Sequence, residues 1–279
     1  MKKKSSNFLK KLGFISIIVV LWISTYSIIN MLLNSDNSII SALNIKNFSL
    51  SSQNDDTNNN TVDEDEQMKE NVSQDDSSTI EIPTSKQLDI QLINQLPELY
   101  NGCEITSLTM LLNYAGGNVD KMTLADKVKK DPTPLVRSGD VITSWGDPQY
   151  GFVGSISGST GIGYSVYPKP LIPLINEYTD NKGVDLTGES LDTLKKYISI
   201  EHPVVAWVTV DWSMPSFITW QKNDRKIKAT FSEHAILLTG FDENYFYYND
   251  PLANKKSYVS IDTFQSVWNA MGNMAVSYN

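Results

Sequence analysis

The chain has 279 residues, a formal net charge of −9, one cysteine and two histidines. A single cysteine excludes an intramolecular disulfide and a multi-cysteine metal centre, and two histidines exclude most His-rich metal sites. No basic face suited to a phosphate backbone is visible, so nucleic acid is not an expected partner.

Charge is distributed unevenly. Residues 1–33 carry five lysines and no acid. Lys2, Lys3, Lys4, Lys10 and Lys11, a basic tail over 1–12, precede an uncharged apolar run over 13–33. That run has the length a helix needs to cross a bilayer, and the lysines hold its near end in the cytoplasm. It ends without a small-x-small cleavage site, so an uncleaved signal anchor fits better than a removed signal peptide. The expected location is a single-pass cell-membrane protein with its folded part outside, or a secreted one if the anchor is cut. Residues 34–84 are rich in Ser, Asn and Asp and hold 11 acids against two lysines. Too few apolar residues occur there to offset the entropy of ordering, so this segment reads as a disordered acidic linker.

A folded domain over 85–279 follows. Leu88, Ile90, Leu92 and Leu96 alternate partially and suggest a short strand. Cys103 then stands where a turn becomes a helix. Asn101 and Glu104 have the spacing of a capping box. Ile105, Leu108, Leu111 and Leu112 give the helix a buried face, and Gly116-Gly117 ends it. Unpaired N–H groups at a helix start favour a thiolate, and Glu104 used as a cap points away from the sulfur. Thr123 caps a second helix running to Lys130. Residues 138–167 read as a long Gly- and Ser-rich ordered loop bordering a cleft. Helices are expected over 170–178, 190–199 and 261–271. Val204 to Val210 reads as a buried central strand. A polar excursion through Lys228 leads to a hairpin of Ala235–Phe241 and Tyr245–Tyr248, with Asn244 in the left-handed position of a three-residue loop.

Two histidines are available as a base for a nucleophilic cysteine. His202 precedes Pro203 and reads as a turn residue. His234 begins the hairpin. If Phe241 pairs with Tyr245, Ile236 faces Asp250, and His234 and Asp250 share a face one diagonal step apart. Asp250 can then orient the imidazole toward sulfur. Gln95 lies eight residues before Cys103. Its amide and the Cys103 N–H would make a two-donor oxyanion hole. The order Gln, Cys, His, acid is that of papain-type enzymes.

The segments Gln-Leu-Pro-Glu-Leu-x-Asn-Gly-Cys-Glu-x-Thr-Ser-Leu, Trp-Gly-Asp-Pro-x-x-Gly-Phe-Val-Gly, Pro-Val-Val-x-Trp-Val, His-Ala-Ile-Leu-Leu-Thr-Gly-Phe-Asp and Asn-Asp-Pro-Leu resemble one group. It is the bacterial cell-surface cysteine peptidases similar to bacteriocin-processing, double-glycine-cleaving peptidases, in the papain-like superfamily. The resemblance covers roughly 88–276. It implies an α+β papain-like fold, with the cysteine helix packed on an antiparallel sheet. It also implies Cys103 as nucleophile, His234 as base, Asp250 as orienter and Gln95 in the oxyanion hole, with no metal or cofactor. The transporter-fused processors carry ATP-binding domains. This chain has no Walker-type phosphate loop, so cleavage of exported leader peptides does not carry over.

The expected function is a membrane-anchored extracellular cysteine peptidase acting on a peptide or other amide through an acyl-enzyme. An acyl transferase of transglutaminase type uses the same residues. A binding module that kept the fold without turnover is the third reading.

Overall fold

The computed structural model describes residues 81–279. The basic tail, the expected membrane span and nearly all of the linker lie outside the described residues. Among the described residues, no helix is long and apolar enough to cross a membrane.

The cysteine helix, α1 (Cys103–Tyr114), is buried on every side over its first ten residues. The expectation was one buried face. The helix instead lies between the main sheet and a second helix, α2 (Lys121–Lys127). Its hydroxyls tolerate this because each returns to a carbonyl. Thr106 donates to Gly102 O, Thr109 to Ile105 O and Ser107 to Ala235 O. At the C-terminus Gly116 adopts φ +90°, Gly116 N–H donates to Asn113 O and Gly117 N–H to Leu112 O. These are the two bonds of a Schellman ending.

The capping box is not formed. The N-cap is Gly102, with no side-chain cap. A Cβ there would lie 2.7 Å from Leu99 Cβ, so close packing of the preceding turn requires glycine. Asn101 instead donates through Nδ2 to Ser155 O at 2.7 Å, tying the helix entrance to the 154–163 loop. The α2 cap is Asp120, whose carboxylate accepts from Met122 N and Thr123 N, rather than Thr123.

The main sheet has the order β12-β11-β10-β7-β13-β6, with β1 (Lys86–Gln87) beside one end of β10. Its other strands are β6 (Gly183–Asp185), β7 (Val204–Thr209), β10 (Glu233–Phe241), β11 (Tyr245–Asp250), β12 (Lys255–Ser260) and β13 (Ala275–Tyr278). All pairings in it are antiparallel. Residues 88–96 are irregular rather than a strand, although Leu88 and Ile90 are buried. β7 is buried along its whole length, as its β-branched run predicts. Helix α1 packs on β10 and β7. Helices α3 (Pro168–Tyr178), α4 (Leu191–Ser199) and α5 (Ile261–Ala270) complete the domain, and Ser190 and Ser260 cap the last two.

Residues expected to be a long loop and a polar excursion hold strands. β3 (Val136–Ser138), β4 (Val141–Ser144), β8 (Ile218–Lys222) and β9 (Arg225–Ala229) form a separate four-stranded sheet. β2 (Lys130–Asp131) pairs in parallel with β5 (Phe152–Val153). A small aromatic core of Trp145, Tyr164, Trp220 and their neighbours lies under this sheet.

Candidate functional site

Gln95, Asn101 and Cys103 come from the turn before α1 and its first residue. Glu233 and His234 come from the start of β10. With Phe231, they line one cleft of about 210 Å³. Gly163 and Tyr164 border it, so the 138–167 segment reaches the cleft as expected. A larger hollow of about 440 Å³ lies near Asp131 and Arg225, where the charged walls already pair with one another and neither cysteine nor histidine is present.

His234 Nε2 lies 3.1 Å from Asp250 Oδ1. The register that joins them arises differently from the expectation. At the loop end Phe241 pairs with Phe246, not Tyr245. A bulge between Leu238 and Gly240 then absorbs Thr239, so that Leu238 faces Tyr248 and Leu237 faces Asn249. One extra residue exchanges the faces of everything beyond it, and here it restores the expected pairing. The loop is held by Asp242, whose carboxylate accepts from Asn244 N and Tyr245 N. Asn244 is not among the residues with positive φ.

Asp250 is buried. Burial alone would raise its carboxyl, but His234 and the amides of Ala253 and Leu252 hold it below the ordinary value. Those amides donate to Oδ1 at 2.9 and 3.0 Å. The carboxylate therefore stays ionised and positions one ring nitrogen, leaving Nδ1 for the cleft. His202 stands apart, its ring 4.4 Å from that of Tyr278.

Gln95 is 2 % exposed. Its Nε2 donates to Tyr100 O at 3.0 Å, which fixes the amide orientation, and its Oε1 has no partner. Its backbone N–H donates to Pro251 O, beside Asp250. The second Nε2 hydrogen is free for an oxyanion.

Cys103 departs from the expectation. Its thiol hydrogen-bonds to Glu104 Oε2 at 3.3 Å, not to His234. Glu104 Oε1 accepts from Val166 N at 2.9 Å. The acid beside Cys103 thus faces the sulfur instead of capping the helix. Burial first, then the charges of Glu104 and Glu233, push the thiol well above its ordinary value, while the Ala235 amide opposes them. The helix-start effect is outweighed, and the resting group is a thiol.

Sequence reasoning missed the acid cluster. Cys103 Sγ and one oxygen each of Glu104 and Glu233 lie within 4.8 Å of one another. Both Glu104 oxygens already serve protein donors, so the set reads as a hydrogen-bonded acid cluster rather than an open metal cradle. The signal was present: an acid flanks each candidate residue, as Cys103-Glu104 and Glu233-His234.

The sequence pattern of the Peptidase C39-like family matches residues 87–276. The chain belongs to the Peptidase C39-like family. A Bacillus subtilis relative, the uncharacterized protein YvpB, is 39 % identical over 196 residues, covering 69 % of this chain and 76 % of its own. A Bacillus anthracis crystal structure described as that of a "putative C39-like peptidase" superposes with a TM-score of 0.62 at 38 % identity. It covers 70 % of this chain and 97 % of the other. The mixed α/β architecture is therefore that of a C39-like peptidase.

Proposed function

We propose that the chain is a cysteine peptidase that cleaves amide bonds through Cys103, His234 and Asp250. The observation that carries the reading is the buried His234–Asp250 pair at 3.1 Å, with His234 and Cys103 lining one cleft. Substrate entry draws the thiol from Glu104 toward His234. Nδ1 takes the thiol proton as sulfur attacks the carbonyl carbon. Gln95 Nε2 and the Cys103 N–H receive the oxyanion. Collapse of the tetrahedral intermediate breaks the C–N bond, and His234 returns the proton to the departing amine. Water, deprotonated by His234, then releases the acyl group from sulfur. The oxyanion pair and the three reactive residues need no metal or cofactor. The N-terminal run over 13–33 would anchor the enzyme in the membrane and place this cleft outside the cell.

Cys103→Ala should lose at least about 10³-fold in turnover of a peptide library while keeping its unfolding midpoint. Equal turnover by that variant would falsify the assignment. A second reading, a binding module without turnover, is favoured by the thiol's bond to Glu104. A thiol-reactive probe separates the two. Labelling of Cys103 that His234→Ala abolishes supports the enzyme, and no labelling of folded protein supports the module.

A further inference from the structure

Resting on the peptidase reading, we propose that Glu104 and Glu233 share one proton behind the nucleophile. Through that proton, Glu233 acts as a positioning residue governing the ionisation of Cys103.

The geometry comes first. The sulfur and an oxygen of each carboxyl fall within 4.8 Å. Glu104 is fully buried, and both of its oxygens already hold donors. Glu233 lines the cleft wall, yet its Oε1 is shut off from solvent and has no hydrogen-bond partner. A buried carboxylate oxygen without a protein donor is held most cheaply as the neutral acid. Two carboxylates this close cannot both ionise without mutual repulsion, so one proton stays with the pair.

The electrostatics agree. Burial, then the Glu104 charge, pushes Glu233 well above the ordinary carboxylate range, and the Ser165 hydroxyl opposes them only in part. Burial also raises Glu104, against the Ser165 hydroxyl first and then the Val166 amide and the thiol. The other titratable groups around the cluster are His234 on β10, Asp250 behind it on β11, and the phenols of Tyr164 and Tyr167. Burial raises both phenols, and the Glu233 charge raises them further, so they remain neutral and do not compete for the proton.

The consequence is a graded brake on the sulfur. While the pair keeps its proton it carries one negative charge. As pH rises that proton leaves, a second charge appears beside the sulfur, and thiolate formation is pushed to still higher pH. The brake is released when substrate draws the thiol out of the acid cluster toward His234.

The test is the pH profile of Cys103 alkylation by iodoacetamide in the full chain. Wild type should show a flattened rise with a high midpoint. Glu233→Gln, which has no second proton to lose, should give a single ionisation with a lower midpoint. Alkylation on the alkaline limb should then be about tenfold faster. Glu233→Asp should restore the wild-type profile, a rescue that a purely structural role would not produce. Glu104→Gln keeps an oxygen for Val166 N and should shift the midpoint the same way, which covers the case of a poorly folding Glu233 variant. An unchanged midpoint in folded variants overturns the shared proton and leaves the peptidase reading standing. No alkylation of folded wild type or of Glu233→Gln at any pH overturns both.

Discussion

The two sheets are built by different means. The large one is stabilised by continuous apolar burial: β7 is hidden along six residues, and α1, with Ile105, Leu108, Leu111 and Leu112 fully buried, packs on β10 and β7. Each such side chain contributes about 2 kcal/mol by leaving water. The small sheet has short strands, one exposed along its whole length, over a small aromatic cluster. It is fastened by ions: Asp131 pairs with Lys222, and Asp147 with Arg225 at 2.6 Å. The cleft opens between them. Gln95, Cys103 and His234 stand on the large side, and Tyr164 and the half-exposed Phe231 on the small side. The candidate reactive groups thus sit on the more deeply buried wall, and exposed apolar surface sits on the other.

That contrast can be broken or sharpened experimentally. The largest effect should come from His234→Ala on the more deeply buried wall. Turnover should fall at least about 10³-fold with unfolding unchanged; a parallel loss of stability would mean the wall itself depends on the imidazole. Next is Trp220→Ala, which empties the centre of the small core. Trp220 is 2 % exposed and donates from Nε1 to Gly146 O. Urea unfolding should show a loss of about 3–5 kcal/mol. A loss under 1 kcal/mol would mean the small sheet adds little to cooperative folding.

Asp131→Asn tests the ionic fastening. Burial opposes the charge of Asp131, but Lys222, Thr133 and the Asp147 amide prevail and hold its carboxyl at about 2. A depressed carboxyl gives stability that is complete above the unfolded value near 4 and is lost as pH falls toward about 2. The variant should lose about 2 kcal/mol at pH 7 and show less acid sensitivity in that window. An acid limb identical to wild type would assign the fastening elsewhere. The smallest effect should be Gly116→Ala, at the left-handed end of α1, which should cost about 1 kcal/mol in thermal unfolding. No cost would mean that the helix end relaxes freely.

The same contrast explains what could be read in advance. α1, β7, the β10–β11 hairpin and α5 carry long apolar patterns, and burial enforces those patterns whatever the context. The small sheet escaped because Val136–Ser138 and Arg225–Ala229 mix Lys, Arg and Ser with few apolar residues. Their strand state depends on partners distant in sequence. β13 escaped because its four residues look like a chain end, yet they pair with β7 at the sheet's centre. That Gln95, Cys103 and His234 share a cleft and that Asp250 bonds His234 was legible from residue type, order and hairpin geometry. The direction of Glu104 was not, because a helix-start spacing fits both a cap and an acid turned toward Val166. Only the tertiary partner decides between them.

Thr239 carries a consequence beyond the hairpin itself. Paired regularly from the Phe241 end, the same strands would set imidazole and carboxylate back to back on opposite sides of the sheet. The one residue left out of the ladder acts as a phase corrector for the His234–Asp250 pair. A relative could keep every reactive side chain and still be inert if its ladder ran without this correction. If the proposed reaction holds, competence in this chain is written partly in a spacing, not only in the identities of the groups.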